Sequence, residues 1–302
     1  MSLQLSLTLI GRNISHEALS TILKACQDMG ITLDQGKCLS DGQKLDSQAY
    51  LYAVEGPSSI EQLNNNLADF AADLKIDAVF QYVREQQIKL ACFDMDSTLI
   101  KAEVIDLLAA HAGVGNQVAS ITERAMQGEL DFNQSFTERM RLLKGLDAEV
   151  INEVAQTLPI MEGGERLFKN LDQHNIDSAI LSGGFDYFAR HLQQRFNIDS
   201  ILANTLEVSA GKLTGHAIAP IINAEQKRIE LLRLAQEKNI DAAMTMAVGD
   251  GANDLAMLAS AGLGVAYKAK PIVQSQAAAA LNHNGLDALL FLLGYDDSQI
   301  IP

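Results

Sequence analysis

Hydrophobic and polar positions follow two different rhythms along the 302-residue chain. In the first 85 residues the apolar period switches back and forth between about 2 and about 3.6. Residues 3–11 (LQLSLTLIG) alternate as a half-buried strand does. Residues 14–29 place Leu19, Ile22, Leu23 and Cys26 at helical spacing and stop at Gly30. ITLDQGKCLS and QAYLYAVEG read as two further strands, separated by the turn-rich SDGQKL. SSIEQLNNNLADFAADL is a helix, with Ser58 or Ser59 as its N-cap and Glu61 close behind, and DAVFQYVR is a closing strand. The order βαββαβ predicts an open ferredoxin-like α+β sandwich over residues 1–85.

After the polar bridge EQQ the pattern changes. IKLACF is a nearly continuous apolar run, as expected of a parallel strand buried on both faces. SAILSGG and MTMAVGD repeat the form of an apolar strand, then small residues, then a helix; GLGVAY is a fourth such strand. Helical segments separate them: ERLFKNLDQH, FDYFARHLQQRF, AEQKRIELLRLAQEK and ANDLAMLASA. Strand–helix alternation predicts an α/β fold over residues 86–302, with a doubly wound parallel sheet. Residues 103–157 depart from it, being almost wholly helical, and predict a helical insertion at about 103–160, after the first strand. LEVSAGKLTGHAI also departs and reads as a β-hairpin turning near Gly211. The alanine run at 277–280 is the one biased stretch.

Composition narrows the function classes. With 48% hydrophobic and 20% charged residues, a packed globular core is expected. A formal charge of −15 argues against nucleic acid or an anionic membrane as partner, since both require a basic footprint. The same charge means that an anionic substrate would need local positive charge, from a metal ion or from placed cations. The three cysteines, Cys26, Cys38 and Cys92, form no C-x-x-C pair, which fits buried thiols in a reducing compartment. The N-terminus has no basic start and no small-residue cleavage site, and no apolar run reaches the roughly 18 residues that span a bilayer. The expected location is the cytoplasm.

Ligands of open α/β sheets bind beyond the carboxyl ends of the strands, so chemistry is sought there. The first strand ends in Asp94-Met95-Asp96-Ser97-Thr98. Residues two apart in extended chain point the same way, so Asp94 and Asp96 can face one site. Two close carboxylates suit a hard divalent cation, magnesium before zinc, although turns and caps also contain D-x-D. A carboxylate can attack a metal-bound phosphorus, while a neighbouring carboxyl moves the protons. Ser182-Gly183-Gly184 offers a hydroxyl and bare backbone N–H groups for phosphate oxygens, or a plain tight turn. Lys227 is either a solvated lysine or a cation that neutralises phosphate. In VGDGANDLAML, Asp250, Asn253 and Asp254 suit a metal site, or N-cap the next helix. Each feature alone is ambiguous; together they fall at successive strand ends with complementary chemistry.

In these motifs, from Ile88 onward, the chain resembles the haloacid dehalogenase superfamily of phosphohydrolases. DMDST, LSGG, Lys227 and GDGAND are similar to its four motifs in order. The resemblance implies Asp94 as nucleophile and Asp96 as general acid/base. It implies Mg²⁺ held by Asp94 and Asp250 through side chains and by Asp96 through its carbonyl. Ser182, Gly183 and Lys227 are implied to hold the phosphoryl group, with Asn253 and Asp254 ordering the metal shell and the lysine. DMDSTLIKAEVIDLLA with GELDFNQSFTERMRLLKGL resembles, more narrowly, the phosphoserine phosphatase family. This implies O-phospho-L-serine as a small-molecule substrate, in the last step of serine synthesis. Glu103 is implied to meet its ammonium and Arg139 its carboxylate, with Phe132 shielding the site; Arg suits bidentate carboxylate binding. Residues 1–85 resemble an ACT-like domain by element order, which implies pairing into a homodimer or amino-acid binding. Two alternatives stand beside it: phosphoryl transfer to another alcohol such as homoserine, which shares these motifs, and an amino-acid-sensing regulatory protein with an inert phosphatase half, against which the presence of every catalytic position counts.

Overall fold

A computed structural model describes residues 4–55 and 60–302, which build two sheets. The first unit runs β1 (Leu5–Gly11), α1 (His16–Asp28), β2 (Thr32–Leu33), β3 (Lys37–Asp41), β4 (Gln48–Glu55), α2 (Ile60–Asp73) and β5 (Asp77–Tyr82). Its strands lie in the order β2-β4-β1-β5, with β3 also on β4, and all pairings are antiparallel. Ser15 caps α1, its side chain accepting the Ala18 N–H at 3.1 Å. The N-cap predicted at Ser58 or Ser59, with the Glu61 side chain, lies outside the described residues.

Two expectations for this unit change. ITLDQGKCLS is two short strands, because the Asp34 carboxylate accepts the N–H groups of Gly36 (2.9 Å) and Ala53 (3.0 Å) and closes a turn between them. The sandwich is also not open. Leu7, Leu9, Tyr52, Val54 and Phe80 pack under α1 and α2 with Ile22 and Cys26. The alternate positions Ile10, Ala49 and Val79 join the core of the rest of the chain, and Ser6 and Thr8 beside them are buried.

The second unit begins with β6 (Leu90–Phe93) and the four helices of the insertion: α3 (Val104–His111), α4 (Gly115–Met126), α5 (Phe132–Leu142) and α6 (Glu149–Gln156). It continues through α7 (Gly164–Gln173), β7 (Asp177–Phe185), α8 (Asp186–Phe196), β8 (Ser200–Ser209) and β9 (Lys212–Ile218). It ends with α9 (Ala224–Glu237), β10 (Thr245–Gly249), α10 (Leu255–Ser260), β11 (Leu263–Tyr267), α11 (Pro271–Gln274), β12 (Ala279–Leu281) and α12 (Leu289–Leu292). The sheet order is β12-β11-β10-β6-β7-β8-β9, parallel except for β9. Phe93, Ile180 and Val248 point to the face covered by Phe168 and Phe188. Cys92, Leu181 and Ala247 point to the face covered by Leu231 and Met257. Burial on both faces explains the unbroken apolar runs. The chain leaves β6 in one direction toward β7 and β8, and returns to its other side at β10. The carboxyl ends of β6 and β10 therefore flank a topological switch point. Part of the alanine run is the short strand β12, paired with β11. The hairpin β8–β9 turns at Ala210 and Gly211, both at positive φ (50° and 76°), and its Leu213 exchanges backbone hydrogen bonds with Gly145 and Leu146 of the insertion. Among the described residues no helix is long and apolar enough to cross a membrane.

Candidate active site

Asp94 directly follows β6, and its N–H donates to the Val248 carbonyl of β10 at 2.9 Å, so the ladder carries it into the switch point. Its Oδ1 accepts the Met95 N–H at 2.7 Å and pairs with Lys227 Nζ at 2.9 Å. Lys227 is fully buried in the first turn of α9 and also donates to Asp254 Oδ1 at 2.7 Å. Burial opposes the ammonium charge, but Asp254 and Asp94 outweigh it and raise the lysine pKa. The other oxygen of Asp254 accepts the Gly251 N–H at 3.0 Å, so Asp254, not Asp250 or Asn253, serves the backbone at this helix start. A methyl group at Gly249 would collide with the Asp254 carboxyl, so the strand must end in glycine.

Carboxylate oxygens of Asp94, Asp250 and Asp254 lie within 4.8 Å of one another. Burial, and then the charges of Asp94, Asp254 and Glu103, push the Asp250 pKa up to about 7, against a hydrogen bond from Thr98 Oγ1 at 3.3 Å. Burial and Asp94 also raise Asp254, against Lys227. Three hard oxygen donors converge around a single cation, Lys227, which already pairs with Asp94 and Asp254; the set fits a divalent metal ion, which would relieve the remaining repulsion. The Asp96 side chain stands outside this group. Its Oδ1 accepts the Val104 N–H at 3.0 Å, and its Oδ2 faces Gly184, where a methyl group would collide with it. Burial first, then Glu103 and Asp94, raise the Asp96 pKa well above the carboxylate range.

β7 pairs with β8 at Leu181↔Leu202 and again at Phe185↔Asn204, so Ser182, Gly183 and Gly184 together oppose Ala203 alone. That bulge lifts the three residues out of the ladder toward Asp96. Ser182 is buried and its Oγ accepts the Gly184 N–H at 2.9 Å. At Gly183 a methyl group would sit 2.9 Å from the Phe132 ring, which comes from the insertion. Phe132 continues through Phe136 (6.0 Å) to Phe185 (6.1 Å), joining α5 to the end of β7. Glu103 precedes α3 and does not cap it; its Oε1 accepts Ser97 Oγ–H at 2.9 Å. Its carboxyl borders solvent, yet surrounding protein desolvates it enough to raise its pKa, while Ser97 lowers it. Burial lowers the Arg139 pKa, against Glu103, Asp106 and Asp96. Among the described residues no ion pair joins Arg139 to Glu103, and the Arg139 Nε–H donates to the Ser135 carbonyl at 3.4 Å. Asn253 makes no side-chain hydrogen bond among the described residues.

Thr98, the Val104 N–H and Ser97 were not singled out from sequence. Each acts through a hydrogen bond to a residue that was, and only the shared DMDST stretch hinted at Ser97 and Thr98. Two surface cavities of about 550 Å³ each lie elsewhere, one beside Gly163 and Arg166, the other between α1 and β2. Neither gathers the carboxylates and buried cation of the switch point.

Residues 88–262 match the family model of haloacid dehalogenase-like hydrolases. The chain belongs to that family of hydrolases, as its sheet, insertion and strand-end acids require. Among its relatives is a phosphoserine phosphatase of Saccharomyces cerevisiae, 40% identical over 299 residues, covering 96% of this chain and 95% of the relative. The solved structure of a family hydrolase from Salmonella enterica serovar Typhi superposes with a TM-score of 0.85 at 31% identity, covering 95% of this chain and 98% of that one. A substrate-bound phosphoserine phosphatase complex gives 0.65 at 37% identity, covering 69% and 99%.

Proposed function

We propose that the chain is a magnesium-dependent phosphoserine phosphatase that releases L-serine and inorganic phosphate from O-phospho-L-serine. One observation carries the proposal. A carboxylate, Asp94, is held by a buried lysine at 2.9 Å inside a group of three acids, beside a second buried carboxyl, Asp96, whose pKa is raised by burial and by the charges of Glu103 and Asp94. The family match and the phosphoserine phosphatases among the relatives support the reaction.

An oxygen of Asp94 attacks phosphorus in line with the serine oxygen. The P–O bond to serine breaks, and Asp96 gives its proton to the departing alkoxide. Asp96 is now a buried anion and takes a proton from water. That water attacks the phosphorus of the aspartyl phosphate, which releases phosphate and restores both carboxyl groups. Lys227, the Ser182 hydroxyl and the N–H of Gly183 offset charge on the equatorial oxygens. Asp94, Asp250 and Asp254 would surround a bound Mg²⁺, with Asp254 chiefly fixing Lys227, and the ion would supply further charge neutralisation there. Glu103 takes the substrate ammonium and Arg139 its carboxylate, while Phe132 keeps water from the cleft. Asn253 lies beside Asp254 to order the shell. The free thiols of Cys26, Cys38 and Cys92 support a cytoplasmic setting.

Asp94→Asn tests the assignment. Phosphate release from phosphoserine is expected to fall at least about a thousandfold with the melting temperature retained, since the amide is no nucleophile. Turnover within tenfold of the unchanged protein, or equal rates on sugar phosphates, would sink it.

A further inference from the structure

Asn204 touches none of the reacting groups, yet it joins two of the segments that carry them. It lies on β8 beyond the bulge, 1% exposed. Its Nδ2 donates to the Gly183 carbonyl at 2.8 Å and lies 3.5 Å from the Ile222 carbonyl, and its Oδ1 accepts the Ile222 N–H at 2.8 Å. Gly183 O belongs to the peptide whose N–H is that of Gly184. A peptide is planar and trans, so holding its oxygen fixes the opposite direction of its N–H. That N–H donates to Ser182 Oγ, so one lone pair of the oxygen is occupied and the hydroxyl proton is left to donate elsewhere. On the other side, Ile222 precedes Asn223, whose side chain caps α9 by accepting the Glu225 and Gln226 N–H groups, and whose carbonyl accepts the Lys227 N–H at 3.1 Å.

The geometry points to Asn204 as a positioning residue that sets the spacing between the Ser182 hydroxyl and the Lys227 ammonium, and so the affinity of the site for a phosphoryl group. This rests on the phosphatase function proposed above. The two groups arrive on different crossovers of the sheet, one after β7 and one before β10, and the Asn204 amide links their backbones. An amide suits the place, because its donor and its acceptor sit on separate atoms, one reaching a carbonyl and the other an N–H. The pair is not adjacent in sequence, so neither segment alone fixes the distance.

The test uses the full chain with Mg²⁺ and two variants, Asn204→Asp and Asn204→Ser. Asp keeps the acceptor for Ile222 and loses the donor to Gly183; Ser is short of both. Wild-type phosphate release from phosphoserine reports on the proposed function itself. The ratio of variant to wild type reports on Asn204. We expect kcat/KM for phosphoserine to fall about tenfold to a hundredfold, part of it as a raised KM. The inhibition constant of inorganic phosphate should rise along with that KM, while that of L-serine, which meets Glu103 and Arg139, stays within twofold. Direct calorimetric binding of inorganic phosphate gives the same comparison without turnover. A folded variant, judged by its melting temperature, with unchanged kcat/KM and unchanged phosphate binding overturns the inference. Equal weakening of phosphate and L-serine also overturns it, since that marks general loosening.

Discussion

At the scale of single residues, the site is a problem of crowded negative charge. Asp250 is an acid whose pKa stands at about 7 while a metal-free carboxyl of the unfolded chain titrates near 4. A group whose folded pKa is raised contributes stability below its unfolded pKa and loses it as pH rises through the folded one. Without a cation, then, this cluster weakens the fold progressively between about pH 4 and pH 7. A bound divalent cation removes the repulsion and displaces the proton. The gain in melting temperature on exchanging EDTA for Mg²⁺ is therefore expected to be larger at pH 7.5 than at pH 5.5. Calorimetry at the two pH values measures it, and an equal or larger gain at the acid pH contradicts the assignment of Asp250 to the metal group.

At the scale of elements, α5 delivers Phe132 and Arg139 to the cleft, one at its first position and one two turns on. Its start is fixed by a capping box: Asp131 Oδ1 accepts the Gln134 N–H at 2.8 Å, and Gln134 Oε1 accepts the Asp131 N–H at 3.0 Å. Asp131→Ala removes about 1 kcal/mol of local stability. Because Phe132 follows the cap directly, the expected result is a KM for phosphoserine raised a few-fold with kcat nearly unchanged, measured by steady-state phosphate release. An effect on kcat alone would place α5 outside substrate recognition. The elements themselves were largely legible in the sequence, because parallel strands buried on both faces write continuous apolar runs, and their ends then locate Asp94, Ser182 and Asp250. The bulge at 182–184 was not legible, since it is defined by the register against β8. Neither were Asn204 and Thr98, whose bonding partners lie 18 and 152 residues away. β12 escaped because alanine has little strand preference and reads as a biased run.

At the scale of the molecule, the small polar residues of β1 mark a face covered by the rest of the chain, where alternation alone suggests solvent. Ile10, Leu39, Leu45, Ala49 and Val79 share one core with Phe93, Met95 and Phe168. Exposed ion pairs such as Lys37–Asp296 (2.7 Å) add little to that contact. The buried amide of Asn284 adds more. Its Nδ2 donates to the Ile10 carbonyl (3.1 Å) and Asp77 Oδ2 (2.7 Å), and its Oδ1 accepts Ser47 Oγ–H (2.8 Å). Its carbonyl accepts the Tyr267 hydroxyl at 3.1 Å, which fastens it to the second sheet. Asp77 also accepts the N–H groups of Asn282 (2.6 Å) and His283 (3.2 Å), and burial raises its pKa in spite of them. Asn284→Leu keeps the branched shape but strips Asp77, Ser47 and the Ile10 carbonyl of their Asn284 partner. A loss of about 2–4 kcal/mol follows. Since the two units share a core, the unchanged protein is expected to unfold in one transition, with far-UV circular dichroism and tyrosine fluorescence coincident; the chain has no tryptophan to obscure the six tyrosines. In the variant both probes should shift together to lower denaturant. Separate transitions in the unchanged protein, or an unshifted midpoint in the variant, would mean that the first unit is a free module and that its buried polar face does not bind it to the phosphatase core.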